Sequence, residues 1–230
     1  MKNKVIITQS NYIPWKGYFS VMKDATHFVV YDDMQYTKRD WRNRNILITP
    51  QGPKWLSIPI NVKGKFHQKI NEAKISDKDW AKKHWNFIEA NYRKAPYFSY
   101  YKKEFSELYN QQESNFLTDI NLSFIKKINE LLNIEIEIID SREFELKGDK
   151  TEKLLNICLD LEAGEYFTGP AAKDYFNEEI FNEKNIKVTY NSHDSYPQYK
   201  QMWSGFNHHV SVLDTLFNVG PDIQTFITNI

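Results

Sequence analysis

The chain alternates short apolar runs with longer segments in which apolar residues recur every three or four positions. Val5, Ile6 and Ile7 form a run of the type expected of a buried strand. The next such run is Phe28, Val29, Val30 and Tyr31, and residues 17–24 between them have room for two helical turns. Strand, crossover and strand predict parallel pairing. Ligands on such sheets bind beyond the carboxyl ends of the strands, which here are residues 9–15 and 32–36. Apolar runs at 46–48 and 55–60 flank Pro50-Gln51-Gly52-Pro53, which predicts a hairpin, and 70–75 reads as a further strand. The period then becomes helical. Ser76 with Asp79 predicts a capped helix carrying Trp80, His84, Phe87 and Tyr92. Pro96 starts a second helix, running to Leu108, and Ser114 caps a third with Leu117, Ile120, Phe124, Ile128 and Leu131 at helical spacing. Strand signals return at 134–139, 166–168 and 186–190. An amphipathic helix is expected over 151–161, and short helices at 210–218 and 222–227 are split by Gly220 and Pro221. This order predicts a single α/β domain: a Rossmann-like, mainly parallel sheet with a β-hairpin, and 76–132 as a helical insertion or cap.

Composition narrows the function classes. The 30 basic and 30 acidic residues cancel, which removes the broad basic footprint of a nucleic-acid binder. Aromatic residues make up 15% of the chain, enough to furnish a core and also to line a ligand cleft. A single cysteine allows no internal disulfide and fits a reducing cytoplasm. No run approaches the ~18 apolar residues of a membrane helix, so a soluble, cytoplasmic protein without membrane insertion is expected.

Candidate chemistry gathers at the expected strand ends. Gln9, Tyr12, Trp15, Gly17 and Tyr18 lie in a loop tipping into a helix, a place suited to phosphate, with Gly17 allowing close approach to the backbone. The same residues also suit an ordinary tight turn with Tyr12 and Trp15 in the core. Asp32 and Asp33 end a strand and could hold a ribose hydroxyl or a divalent metal, or form a solvated turn. Gln35, Tyr36, Lys38, Trp41, Arg42, Asn43 and Arg44 follow; basic residues interleaved with aromatic and amide side chains suit a diphosphate, for which arginine is the bidentate partner. Toward the C-terminus, His193, Tyr196 and Gln198 follow a strand, and His209 precedes a helix containing Asp214. A histidine at a strand end is a candidate general base. No HxxxH, CxxC or GxSxG spacing occurs, so a protein-zinc site and a serine hydrolase have little support, and no metal ligand set is assigned. Cys158, on an apolar helical stripe, reads as a buried thiol.

The runs QSNYIPWKGYF, DDMQYTKRDWRNRN, WLSIPI, NYRKAPYF, YFTGPAAKDYF, SHDSYPQY and SVLDTLFNVG, in that order from about residue 5 to 220, resemble the WbqC-like protein family. One departure is Ser10-Asn11, where the family pattern has a proline after the glutamine. The resemblance implies bacterial surface-polysaccharide (O-antigen) biosynthesis. With the arginine cluster and candidate bases, it leads to an enzyme modifying a nucleotide-linked amino sugar by amide formation. The partners would be that sugar and an acyl or amino-acid donor such as glycine, with ATP as a possible cofactor. A non-catalytic sugar-binding component and a metal-dependent glycosyltransferase are the alternatives. Pro14 to Tyr18 also resembles the HxGH position of nucleotidyltransferase-like Rossmann domains, with Trp15 and Tyr18 in place of the histidines. That implies nucleotide binding without histidine-assisted adenylyl transfer.

Overall fold

A computed structural model describes residues 2–170, 172, 176–191, 196–203 and 205–228. Five strands form a parallel sheet: β1 (Asn3–Thr8), β2 (His27–Val30), β5 (Glu137–Asp140), β6 (Ala163–Thr168) and β7 (Lys187–Tyr190), in the order β5-β2-β1-β6-β7. From β1 the chain runs outward one way through α1 (Lys16–Lys23) to β2, and later the other way to β6. The strand order therefore reverses between β1 and β6, where open α/β sheets form their ligand crevice. The expected hairpin is present as a separate two-stranded sheet of β3 (Arg44–Thr49) and β4 (Gly52–Ser57), with Gly52 at φ 90°.

Both sheet faces are apolar because adjacent strand residues serve opposite cores. Ile6, Phe28, Val30 and Phe167 enter the larger core. Val5, Ile7, Val29, Tyr166 and Val188 enter the smaller one, which is closed by α5 (Lys150–Asp160) and α6 (Glu179–Asn182). The helical block expected over 76–132 consists of α2 (Trp80–Tyr92), α3 (Phe98–Asn110) and α4 (Leu117–Leu131). It joins the larger core together with α1, α7 (Val212–Val219) and α8 (Ile223–Ile227). Its centre is polar as well as aromatic. The Tyr12 hydroxyl lies 2.8 Å from His84 Nδ1 and 2.6 Å from the Tyr109 hydroxyl, and His84 Nε2 faces the Ser57 carbonyl at 3.1 Å. Burial pushes the His84 pKa down to about 4, so the ring is neutral near pH 7.

Two local expectations are corrected. Residues 70–75 do not form a strand: Ile70–Glu72 is a 3-10 turn, and the amides of Ile70 and Asn71 donate to the carbonyls of Met34 and Asp32. Ile70 and Ala73 are buried three positions apart, a turn spacing that a short apolar run does not distinguish from a strand. The helix caps are also displaced. α2 begins after Asp79 and α4 after Phe116, neither with a side-chain cap, whereas Ser114 Oγ accepts from the Phe116 amide just outside α4. No helix among the described residues is long and apolar enough to cross a membrane.

Candidate functional site

The loop leaving β1 is fixed from below by a buried carboxylate. Asp32, two residues beyond β2 and 2% exposed, accepts from the Ser10 amide at 2.8 Å, the Ser10 hydroxyl at 2.6 Å and the Thr118 hydroxyl at 2.7 Å. Asn121 adds a bond to Ser10 Oγ at 2.9 Å and another to the Arg42 carbonyl at 2.9 Å. Asp32 thus ties the β1 and β2 loops to α4. Burial raises its pKa, partly offset by the Ser10 and Thr118 bonds. Asp33 instead pairs with Lys69 Nζ at 2.7 Å. The two neighbouring carboxylates serve different elements, and no group of three or more metal-ligating side chains occurs among the described residues.

With the loop fixed, Gln9 and Asn11 orient Arg42. Its guanidinium donates to Gln9 Oε1 at 3.1 Å and to Asn11 Oδ1, while Asp40 stands off at 3.8 Å. Neutral amide oxygens therefore orient the cation, and the longer ion pair with Asp40 offsets only part of its charge. Tyr18 donates its hydroxyl to the Gln9 carbonyl at 3.0 Å and completes the support.

These residues line a cleft of about 630 Å³ at the carboxyl edges of β1, β6 and β7. Gln9, Trp15, Gly17, Tyr18, Trp41 and Arg42, all expected at the site, line it together with Asn11. Gly17 acts differently from expectation. The Trp15 ring occupies the place a side chain would take there, so the indole, not a ligand, lies against this glycine. Trp15 in turn meets Tyr196 edge-on, with centroids 5.5 Å apart.

Other expected residues lie elsewhere. Tyr12 is in the core, Asp32 in the loop lock, and Tyr36 is buried with its amide bonded to the Gln68 carbonyl. Gln35 donates to the Phe66 carbonyl, Asn43 to the Ile58 carbonyl, and Lys38 and Gln198 are exposed. Arg44 lies over the Trp55 ring at 3.9 Å. Asp214 is buried, accepting from Tyr92 at 2.6 Å, Tyr199 at 2.7 Å and Gln201 at 2.9 Å, so its carboxylate joins α2 and α7 to the 199–201 segment. His209 is exposed, its ring 6.5 Å from that of Trp15. His193 lies outside the described residues.

Sequence reasoning missed the far wall. Lys150, Lys153 and Leu154 from the start of α5, with Thr168, Gly169 and Asn191 at the ends of β6 and β7, complete the cleft. The available signal was the i, i+3 spacing of two lysines, which puts both on one side of a first helical turn. The charged side chains lining the cleft, among the described residues, are Arg42, Lys150 and Lys153. No carboxylate lines it there, and Trp15, Tyr18, Tyr31, Trp41 and Tyr166 give its walls aromatic faces. The site is therefore suited to an anionic ligand with flat or apolar faces.

A different lysine stands behind Trp15. Lys16 is 2% exposed, donates to the Pro197 carbonyl at 2.9 Å, and lies 5.5 Å from the Tyr196 ring and 5.2 Å from the Tyr199 ring. Burial lowers its pKa to about 8.

The match to known proteins covers nearly all of this framework. A protein of Mycobacterium tuberculosis (strain ATCC 25618 / H37Rv) named "Uncharacterized protein Rv1507c" is 45% identical over 224 residues, covering 97% of each chain. No solved structure matches. The model of the WbqC-like protein family matches residues 9–225, from the loop that holds Arg42 to the final helix, and the chain belongs to that family.

Proposed function

We propose that the cleft binds a nucleotide-linked amino sugar and that the protein forms an amide on the sugar amine, as a step in building a bacterial surface polysaccharide. Family membership supports a role in polysaccharide-related biosynthesis. The observation that carries the ligand class is the charge of the cleft: Arg42, Lys150 and Lys153 line it without a carboxylate among the described residues, and Arg42 is oriented by neutral amides. A diphosphate fits such a cluster, with arginine as its bidentate partner. The aromatic walls fit the nucleoside.

In this reading the neutral amine attacks the acyl carbonyl of the donor, the donor's leaving group departs, and the nitrogen loses one proton. In this reading that proton passes to His209, whose ring lies 6.5 Å from that of the cleft residue Trp15. A general base of this kind contributes about 10²–10⁴-fold in rate. The donor would be an amino acid such as glycine, activated with ATP, or a preformed acyl donor.

The test has two stages. Calorimetric titration with nucleoside diphosphates and nucleotide-linked 4-amino sugars is expected to show binding that Arg42→Gln weakens by at least about tenfold, the loss of a charge-assisted contact. Incubation with the amino-sugar nucleotide, glycine and ATP, or with acyl donors, is then followed by mass spectrometry for the amide. Absence of diphosphate binding overturns the ligand assignment. Binding with no amide from any donor overturns the reaction.

A further inference from the structure

At the cleft rim and outward from it, two indoles are exposed. Trp41 is 39% and Trp55 45% exposed, with ring centroids 5.1 Å apart and planes inclined at 47°. They come from different elements: Trp41 from the loop that carries Arg42, and Trp55 from β4 of the hairpin, which pairs only with β3 among the described residues. Exposing two large rings side by side has no folding benefit, since each would contribute more if buried.

Their surroundings narrow what they serve. Trp41 also lines the cleft, so the aromatic surface continues from its interior onto the hairpin. Arg44 stacks on Trp55 with its guanidinium 3.9 Å from the ring and donates to the Arg39 carbonyl, which holds the planar fork in place. Its Nε is buried and has no hydrogen-bond partner. Arg44 covers one face of Trp55, and the exposed surface left on the two indoles beside this fixed donor fork matches a pyranose: ring C–H groups pack on the indoles while hydroxyls accept from the Nη groups. A purely apolar partner would not use the fork.

We infer that Trp41, Trp55 and Arg44 form a saccharide subsite that takes the sugar end of the ligand, so that the ligand lies with its nucleoside inward, its diphosphate at Arg42 and its sugar outward on the hairpin. The orientation of the ligand rests on the proposed function; the saccharide preference of the Trp41–Trp55 surface does not. Arg42 follows Trp41 directly in the chain, which puts the diphosphate contact next to the sugar platform. The hairpin then determines which sugar is accepted, and the sheet edge which nucleotide.

Two measurements test this. The first compares the affinities of a nucleoside diphosphate and of the corresponding nucleotide sugar for wild type and Trp55→Ala. The nucleotide sugar is expected to lose about tenfold on removal of one stacking ring, while the nucleoside diphosphate changes less than about twofold. Equal losses, or none, overturn the orientation. The second follows the six indole N–H resonances during titration with neutral pyranosides, methyl glucoside and N-acetylglucosamine. Signals of Trp41 and Trp55, assigned through single Trp→Phe variants, are expected to shift, and the shift at Trp41 to vanish in Trp55→Ala. If pyranosides shift these signals but no diphosphate binds, the proposed function fails and the subsite stands. If diphosphates bind and pyranosides leave both indoles unmoved, the subsite fails. A change of oligomeric state in Trp55→Ala without any change in sugar response assigns the rings to a protein contact and likewise overturns it.

Discussion

Replacing Asp32 by asparagine tests the lock beneath the cleft. Its carboxylate accepts three hydrogen bonds, from the Ser10 amide, the Ser10 hydroxyl and the Thr118 hydroxyl. The Ser10 amide is part of the backbone and does not turn, so the one oxygen left on the substituted side chain must stay with it. The new NH₂ then faces the two hydroxyls. Thr118 can rotate and accept, but Ser10 Oγ already accepts from Asn121 and its own proton loses an acceptor. Two charge-assisted bonds are lost, at about 1.5–3 kcal/mol each. Against this, the variant no longer buries a charge, and the desolvation that raises the Asp32 pKa offsets part of that loss. The net loss is about 2–3 kcal/mol, a Tm lower by about 5–10 °C for a chain of this length. Urea unfolding followed by tryptophan fluorescence measures it. The pH dependence has a definite sign. A carboxyl whose folded pKa is raised contributes most below its unfolded pKa of about 4, and that contribution falls as pH rises through the folded pKa. The stability gap between wild type and Asp32→Asn should therefore be widest near pH 4 and narrow toward neutrality. A loss under about 1 kcal/mol, or a gap that widens with pH, would refute the lock.

Three further outcomes are expected. Asp214→Ala removes the acceptor of the Tyr92 and Tyr199 hydroxyls and of one Gln201 N–H and should cost about 4 kcal/mol in chemical denaturation. Asp214→Asn, which keeps one acceptor, should cost less; equal losses would contradict this account. Lys16→Met keeps the stem of the side chain and removes a buried charge whose pKa has fallen to about 8. That fall corresponds to about 3 kcal/mol of penalty, less about 1–2 returned by the surrounding rings and about 1 from the bond to the Pro197 carbonyl, so the variant should be at least as stable at pH 7. Because the unfolded chain holds this proton up to about pH 10.4, wild type regains the difference between pH 8 and 10.4. A variant less stable than wild type at pH 7 would be inconsistent with that sign. Gly17→Ala puts a methyl where the Trp15 ring lies; the ring must swing away, which should weaken ligand binding several-fold while leaving the far-ultraviolet circular dichroism unchanged. Undiminished binding would show that the Trp15 wall is not used.

The sequence made the sheet legible because its strands are continuous apolar runs serving two cores, as at Val5 to Ile7 and Phe28 to Val30. It made the β1 loop and Arg42 legible because strand ends in parallel sheets face ligands. Polar residues nearby misled for a common reason: a side chain suited to holding a ligand is equally suited to holding the protein. Asp32, Tyr12 and Asp214 have the chemistry of site residues, but their partners, Thr118, His84 and Tyr199, come from segments whose proximity only the tertiary fold creates. Lys150 and Lys153 failed in the opposite direction. Isolated on an ordinary helix start, they gain meaning only when β6 brings α5 beside Arg42.

The hairpin has a consequence for association between molecules. The Ile48 amide donates to the Tyr92 hydroxyl and the Ile46 carbonyl accepts from the Ser211 amide, so these residues turn their polar groups away from β4. Their antiparallel partners, Pro53 and Trp55, must turn theirs toward the outer edge of β4. A free strand edge is a template for pairing with another chain, and proline there presents no N–H to complete the ladder. Lys54 adds a charge beside it. Pro53 thus keeps an open, aromatic hairpin available to solutes while making it a poor seed for intermolecular β-sheet.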